Sequence, residues 1–371
     1  MPGIKKYIIV FQIIAFLLNS DFAKAQVQNS PKEDFILSAQ GHAGYIIEHR
    51  NNMGNLIKGH IYGVELNYIF KTNGCKTWHQ VYKYPELGLC YLHIYLSNPT
   101  QLGNLEAFYP YTNIRLNKIK HKTALNLRLA TGICYVTKPF DRITNHQNEA
   151  IGSHLNAFVN LRLSTSTMLT KAWRLDAGAG LSHASNGAYE TPNLGLNMVT
   201  VNLGLGYVFG NQACTYIVDS VKLPVQKWQT SVLGVAGIKE LEDPGGKKYV
   251  AFSLQGNVLR GLNYKNSLGG GLEVFYNSST KQRWAADSIY TSKPSDIIQA
   301  GAKICYAYNF HKLSFPVEFG VYFYKKQPVN GIFFHRIGFR YMLTKHLIAN
   351  FTLLTHFAKA DYFEWGLGYR F

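Results

Sequence analysis

The residues most suited to chemistry lie in the segment Leu181-Ser182-His183-Ala184-Ser185-Asn186. A serine hydroxyl becomes a nucleophile when a neighbouring histidine accepts its proton, and a third group must hold the imidazole in the right tautomer. In a β-strand, residues two apart lie on the same face, so His183 and Ser185 are expected to be neighbours. The spacing therefore predicts a serine–histidine pair at the end of a strand.

The residues around this pair indicate which face of the strand carries it. The odd positions from Leu175 to Leu181 are all apolar, which is typical of a face turned toward lipid. Polar residues on such a face are costly unless they lie near the membrane interface or have a function. Asn197 has the parity of Val199 on the next predicted strand, so it is expected beside His183. This Ser–His–Asn group would meet lipid esters, although a polar strand end at the headgroup level explains the pattern as well.

Alternation of apolar and polar residues recurs along the chain and predicts the elements that position the group. From Val199 to Phe209 the odd positions are large and apolar, and most even positions are Thr, Asn or Gly. The last residues, 363–371, repeat this pattern with mainly aromatic side chains on one face. Such runs reach the roughly 9 to 11 residues that cross a bilayer at a tilt, whereas strands in general hold about 5 or 6. The predicted fold is an all-β, antiparallel transmembrane β-barrel, and a soluble β-sandwich is the alternative.

Sixteen segments carry the pattern at face value, and we expect about 12 to 16 strands. The candidates are 35–47, 59–71, 88–97, 105–116, 123–137, 154–165, 173–186, 196–209, 228–240, 248–260, 267–277, 297–309, 314–325, 332–343, 347–358 and 362–371. Long polar stretches such as 187–195 fall at one end of this scheme and short turns at the other, as in bacterial barrels. The segment 72–87 is long where a short turn is expected.

The chain divides into a leader and two halves. Residues 1–25 have the layout of a secretory signal peptide, with Lys5 and Lys6 before an apolar run and cleavage near Ala25. The predicted regions are 26–210, a connecting segment 211–227 and further strands over 228–371. We prefer a single larger barrel to two barrels, because only Phe371 ends the chain in a position that resembles the insertion signal of outer-membrane barrels.

The segment around Ser185 resembles the signature of the PagL-like lipid A 3-O-deacylases, also called acyloxyacyl hydrolases. The resemblance is carried by His183-Ala184-Ser185-Asn186, Pro192-Asn193-Leu194-Gly195 and a strand closing on Gly206-Tyr207-Val208-Phe209. It is sharpest over 172–209 and extends over 26–209, where the motif lies on the seventh of eight predicted strands. It implies a serine esterase on the outer wall of an eight-stranded barrel, with Ser185 as nucleophile and His183 as general base.

The resemblance also implies roles for other residues and shows one departure. Asn186 and Asn193 match asparagines of the motif, and either is expected to stabilise the oxyanion or to order the site. The acidic third member of the family falls on Asn197, whose amide oxygen can accept from the imidazole but carries no charge to offset an imidazolium. Glu190, in the loop after the motif, is the alternative third member.

Composition and motifs exclude several function classes. The formal charge is +17, yet the sequence shows no nucleic-acid-binding motif and the predicted export separates it from cytoplasmic nucleic acid. No Gly-rich phosphate loop or Gly-x-Ser-x-Gly elbow is present. The five cysteines are scattered, which leaves open a Cys75–Cys90 disulfide or unpaired thiols, and no metal-ligand spacing occurs. We therefore expect neither a metal nor another cofactor.

The predicted function is that of an outer-membrane serine esterase in a Gram-negative bacterium, acting on an acyl chain of lipid A or a related outer-leaflet lipid. Lysine and arginine at strand ends suit the anionic headgroups of such a partner. Two alternatives remain: a passive pore lined by residues such as Asn156, Asn160, Arg162 and Arg370, and a non-catalytic lipid-binding or structural barrel.

Overall fold

The computed structural model consists of two closed antiparallel barrels of eight strands each. It describes residues 35–50, 53–210, 216, 227–241, 244–286, 288, 293–326, 331–357 and 359–371. The predicted all-β barrel fold and the face-value strand number are confirmed. The predicted signal peptide and nearly all of the connecting segment 211–227 lie outside the described residues.

Strand bounds follow the predicted alternation closely. The first barrel contains β1 (Phe35–Ile46), β2 (Ile61–Lys71), β3 (Glu86–Tyr95), β4 (Asn104–Arg115), β5 (Thr123–Val136), β6 (Leu155–Met168), β7 (Trp173–Ser185) and β8 (Leu196–Phe209). The second contains β9 (Trp228–Glu240), β10 (Lys248–Gly261), β11 (Asn266–Asn277), β12 (Ile298–Phe310), β13 (Leu313–Tyr324), β14 (Phe333–Met342), β15 (Leu347–His356) and β16 (Lys359–Arg370). Helices α1 (Thr77–Val81) and α2 (Ser279–Ala286) and a 3₁₀ turn (Pro294–Ile297) complete the described elements.

The preference for a single larger barrel is wrong. β1 pairs with β8 from Phe35↔Phe209 to Ile46↔Met198, and β9 pairs with β16, so each set of eight strands closes on itself. A repeated sequence marks both closing strands, because Gly204-Leu205-Gly206-Tyr207-Val208-Phe209 recurs as Gly366-Leu367-Gly368-Tyr369-Arg370-Phe371. The end of the first barrel thus carries the same signal as the end of the chain.

Alternation gives the first barrel an apolar outer wall and a polar interior. Val201 and Leu203 on β8 are 59% and 61% exposed, whereas the intervening Asn202 is buried. Inside, the carboxylate of Glu65 accepts hydrogen bonds from Arg128 at 2.8 Å and from Arg162 at 2.9 Å. These residues come from β2, β5 and β6, so their ion pairs tie opposite walls together across the lumen. None of the described helices is long and apolar enough to cross a membrane.

The second barrel is filled by a larger network of buried charges. Arg336 on β14 donates to Glu273 at 2.9 Å, to Glu318 at 2.8 Å and to Glu364 at 3.0 Å. Lys303 lies 2.7 Å from Glu318 and 3.2 Å from Glu273, and it is buried with them. Buried charges are tolerated only when they are paired in this way.

The segment 72–87 is not a turn, because it contains α1. The helix carries Trp78, which is buried, and Tyr82 follows it directly. The ring of Tyr82 packs at a tilt against Phe310 of the second barrel with ring centroids 4.5 Å apart, and its hydroxyl donates to the Asn309 carbonyl oxygen. The extra length of this segment therefore joins the two barrels at the end where β1 begins, called here the lower end.

The two barrels also touch at the upper end, where β7 and β9 finish. The loop 186–195, which follows β7, meets the end of β9. The backbone N–H of Glu240 donates to the Ala188 carbonyl oxygen at 2.8 Å, and Thr191 donates from its backbone N–H to the Glu240 carboxylate at 2.6 Å. The ring of Phe363 on β16 packs directly on Gly187.

Among the described cysteines, Cys75, Cys90, Cys134 and Cys305 are free thiols. The alternative of a Cys75–Cys90 disulfide is thereby wrong. Cys90 faces the interior of the first barrel on β3 and is buried, whereas Cys75 is exposed just before α1.

Candidate functional site

His183 and Ser185 lie at the upper end of β7 on its outward face. Leu181 on the same face is exposed, while Ser182 points inward and accepts a hydrogen bond from Asn160 at 2.9 Å. Nε2 of His183 lies 3.0 Å from Oγ of Ser185, which is hydrogen-bonding distance. Ser185 is only 7% exposed because the loops at the upper end cover it. The serine therefore lies at the rim of the outer wall, adjacent to the His183 imidazole.

Asn197 lies directly opposite His183 because β7 and β8 pair in that register. Its Oδ1 is 2.7 Å from Nδ1 of His183. An amide oxygen can only accept, so Nδ1 of His183 carries the proton and Nε2 is left free to accept from Ser185. The three residues form one continuous line of hydrogen bonds.

His49 is part of the same line and was not found from the sequence. Its Nδ1 lies 3.1 Å from Nδ2 of Asn197, and its Nε2 lies 3.0 Å from the Leu194 carbonyl oxygen. His49 belongs to the loop after β1, and strand parity gives no information about side chains in a loop. The available signal was the pairing of β1 with β8, which follows only once the first barrel is known to close.

Asn186 and Asn193 order the loop that covers Ser185. The side-chain amide of Asn186 donates to Oγ of Ser153 and to the Glu190 carbonyl oxygen, both at 2.9 Å. The backbone N–H of Asn186 donates to Oδ1 of Asn193 at 3.1 Å. Because Asn186 is buried and uses its Nδ2 group on these partners, it fixes the turn that follows the serine.

Gly195 lies against the imidazole of His183. Its φ is +84°, a conformation that favours glycine, and a Cβ atom built on it would lie 2.8 Å from Cε1 of His183. Its backbone N–H donates to the Ala150 carbonyl oxygen at 2.9 Å, so the loop after β5 holds it in place. The imidazole is thus confined by backbone on one side.

Glu190 points away from the serine line. Its carboxylate lies 3.6 Å from Nζ of Lys248 on the second barrel, and Nδ1 of His183 contacts Asn197 instead. The structure therefore brings together Ser185, His183 and Asn197, and it places Glu190 at the contact between the two barrels.

The described part of the chain contains no group of three or more His, Cys, Asp or Glu side chains arranged to hold a metal ion. The site is built from neutral polar side chains, which provide proton transfer and hydrogen bonding.

Comparisons with known proteins match both halves of the chain to one family. Residues 62–206 match the family model described as lipid A 3-O-deacylase (PagL), and residues 226–371 match the model described as acyloxyacyl hydrolase, C-terminal domain. No curated protein matches the chain.

Solved structures show weaker likenesses. The neisserial surface protein A is 12% identical with a TM-score of 0.30, over 47% of this chain and 95% of that chain. A triple mutant of the Rhodopseudomonas blastica porin is 10% identical with a TM-score of 0.19, over 91% and 99%. Omp33 of Acinetobacter baumannii is 10% identical with a TM-score of 0.17, over 91% and 98%. Scores this low support no conclusion, whereas the two family models together span most of the chain, which belongs to the PagL family of lipid A 3-O-deacylases.

Proposed function

We propose that the chain is an outer-membrane serine esterase that removes an ester-linked acyl chain from lipid A, with Ser185 as the nucleophile. The observation that carries this proposal is the unbroken line from Ser185 Oγ through the His183 imidazole to Asn197 Oδ1, with distances of 3.0 and 2.7 Å. The family supports a deacylase in general, and this geometry supplies a candidate nucleophile, base and orienting group.

The proposed reaction follows from the tautomer of His183. Oγ of Ser185 attacks the ester carbonyl carbon while its proton passes to Nε2 of His183. When the tetrahedral intermediate collapses, the sugar oxygen leaves with that proton and the acyl chain stays on Ser185. Water then attacks the acyl-serine with His183 again as base, which releases the fatty acid and restores the serine. Asn197 holds the imidazole in the required tautomer throughout.

Asn186 is assigned the site-ordering role, since its side chain bonds only within the covering loops. Asn193 remains the candidate oxyanion donor, because its Oδ1 is engaged by Asn186 and its Nδ2 has no hydrogen bond to another described residue.

The position of the site supports a lipid substrate and an outer-membrane location. Ser185 lies at the upper rim of a wall whose exposed side chains are apolar, such as Leu181, Leu161 and Val159. In the proposed orientation this rim lies at the headgroup level of the outer leaflet, where acyl esters are found. An apolar wall attracts acyl chains but offers no attraction to small water-soluble esters.

A passive pore is disfavoured by the interior of both barrels. Asn156, Asn160 and Arg162, which a pore would need as free lining residues, are buried and hydrogen-bonded. Arg370 lies at the lower end, where it donates to the Lys345 carbonyl oxygen. The non-catalytic barrel shares this fold, so only an assay separates it from the esterase.

The test compares lipid A from cells that produce the wild-type protein, Ser185→Ala or Ser182→Ala at equal membrane levels. Ser182 is the matched control because it lies on the same strand but faces the lumen, on Asn160. We expect mass spectrometry to show loss of one acyl group with wild type and Ser182→Ala, and intact lipid A with Ser185→Ala. Unchanged lipid A in all three strains, across several lipid A types, would overturn the proposal.

A further inference from the structure

Asn197 can orient His183 in only one of the two orientations of its amide group, whereas a carboxylate in its place could do so in both. The two oxygens of a carboxylate are equivalent acceptors, but the amide of Asn197 offers an oxygen on one side and an N–H₂ group on the other. If the amide turned over, Nδ2 would face Nδ1–H of His183, and two donors would meet. An asparagine can orient the imidazole only if something fixes its own orientation.

His49 supplies the contact that can fix it. Nε2 of His49 lies 3.0 Å from the Leu194 carbonyl oxygen, which only accepts, so the proton of the neutral imidazole is on Nε2. Nδ1 of His49 then carries a lone pair and lies 3.1 Å from Nδ2 of Asn197. The Ile47 carbonyl oxygen, 3.3 Å from the same Nδ1, is an acceptor too and cannot satisfy that lone pair. Nδ1 therefore accepts from Nδ2 of Asn197, which leaves Oδ1 turned toward His183.

We propose that His49 is a positioning residue that fixes the orientation of the Asn197 amide. This contact allows an asparagine to orient the His183 imidazole at the position where the family has an acidic residue. The inference rests on the proposed function of Ser185 and His183. Each group in the line donates to the next one. The Ser185 hydroxyl donates to Nε2 of His183, whose Nδ1–H donates to Oδ1 of Asn197. Nδ2 of Asn197 then donates to Nδ1 of His49, whose Nε2–H donates to the Leu194 carbonyl oxygen, so every hydrogen bond has one donor and one acceptor. Leu194 belongs to the loop that also packs Gly195 against His183, so one loop anchors both imidazoles.

The test measures how His49→Phe acts in two backgrounds, wild type and Asn197→Asp. Phenylalanine keeps a ring but removes the acceptor. In wild type we expect about a fivefold slower reaction of Ser185, the scale of one lost hydrogen bond. In the Asn197→Asp background we expect a change below about twofold, because a carboxylate has no wrong orientation to adopt. His49→Asn, which offers an amide oxygen near the former Nδ1, should restore most of the wild-type rate.

Two readouts keep this inference separate from the proposed substrate. The first is the rate at which a fluorophosphonate labels Ser185, followed by intact mass in detergent. In that reaction an Oγ–P bond forms and fluoride leaves, while His183 takes the serine proton. The second is the rate of lipid A deacylation, where the effect of His49→Phe should appear in kcat and leave KM unchanged.

The outcomes are distinct. Equal loss of labelling in the wild-type and Asn197→Asp backgrounds would show that His49 merely supports the loop, and no loss in either would remove it from the site; both overturn the inference. Labelling with the expected pattern but without lipid A deacylation would support the role of His49 and overturn the proposed substrate. His60→Phe, in the same loop, is the control and should label at the wild-type rate.

Discussion

Three residues of the candidate site share one property: they are placed by strand pairing. The parity of β7 and the register with β8 put His183, Ser185 and Asn197 on one face, and both follow from alternation in the sequence. His49 could not be predicted in the same way, because it contacts Asn197 from 148 residues away and from a loop. The strand residues of the site could therefore be predicted from the sequence. The position of His49 could be known only once the first barrel was known to close.

Gly195 provides a prediction at this scale. Gly195→Ala adds a methyl group 2.8 Å from Cε1 of His183, so the imidazole must leave the position in which Nε2 contacts Ser185. Displacements of about 1 Å can cost up to roughly 100-fold in rate, and we expect at least a tenfold loss of kcat. Steady-state deacylation kinetics on purified protein would measure it.

Gly331→Ala is the matched control for this substitution. Gly331 has a φ of +76°, close to the +84° of Gly195, but a Cβ there would contact nothing within 4 Å. Both substitutions strain the backbone, and only one meets the imidazole. If the two variants lost activity equally, contact with His183 would not be the cause.

The loop 186–195 is the element that joins the site to the second barrel. Glu240 on β9 is buried, and its carboxylate accepts from both the backbone N–H and the hydroxyl of Thr191, at 2.6 and 3.2 Å. Nζ of Lys248 lies 3.6 Å from Glu190 and 4.4 Å from the ring centroid of Tyr189. Sequence patterns placed Glu190 near the site but gave no partner for it, since the partner lies on the second barrel.

We expect Glu240→Ala to slow deacylation although it changes no residue of the first barrel. Removing a buried acceptor leaves the Thr191 N–H unpaired, at a cost of about 1–3 kcal/mol, which loosens the loop that carries Asn186 and Asn193. A loss of roughly two- to tenfold in kcat/KM follows if about half of that energy bears on the reacting geometry. Kinetics at equal amounts of folded protein would measure the effect.

Two neighbouring lysines provide a comparison for this contact. Lys248→Ala removes both an ion pair with Glu190 and the hydrogen bond from Nζ to the Tyr189 carbonyl oxygen, so activity should fall about two- to fivefold. Lys247→Ala removes a side chain that lies over Tyr249 within the second barrel, and it should leave activity unchanged. Equal effects of the two substitutions would contradict the proposed bracing of the loop.

At the scale of the whole molecule, alternation predicted the strands but not how they divide. Sixteen alternating segments are compatible with one ring or two, because each strand pairs with its chain neighbour in either case. Only β1, β8, β9 and β16 have different partners in these arrangements, and the repeated Gly-Leu-Gly-Tyr-x-Phe endings at 204–209 and 366–371 were the sequence signal for closure. Two rings give two separate lumens, and the buried charges of each lumen pair with residues of the same barrel.

Separate lumens predict separate unfolding. Arg336→Met leaves Glu273, Glu318 and Glu364 without their shared cation, and breaking a buried ion pair costs about 3–5 kcal/mol. We expect two transitions in thermal unfolding in detergent, followed by circular dichroism, with Arg336→Met lowering only one.

Arg162→Met is the counterpart in the first barrel, where it removes a partner of Glu65. Both arginines lie on the sixth strand of their barrel. Arg162→Met should lower the other transition. A single transition that shifts equally in both variants would show that the barrels unfold as one cooperative unit.

Closure of β1 on β8 also bears on how the chain is assembled. Every strand edge of the first barrel is paired within residues 35–209, so this ring can close as soon as its own strands have been synthesised and delivered. A single ring of sixteen strands would have to wait for Phe371, at a greater entropic cost of bringing its ends together. The second barrel thus contacts connecting segments of the first at both ends, but the first barrel does not need it in order to close.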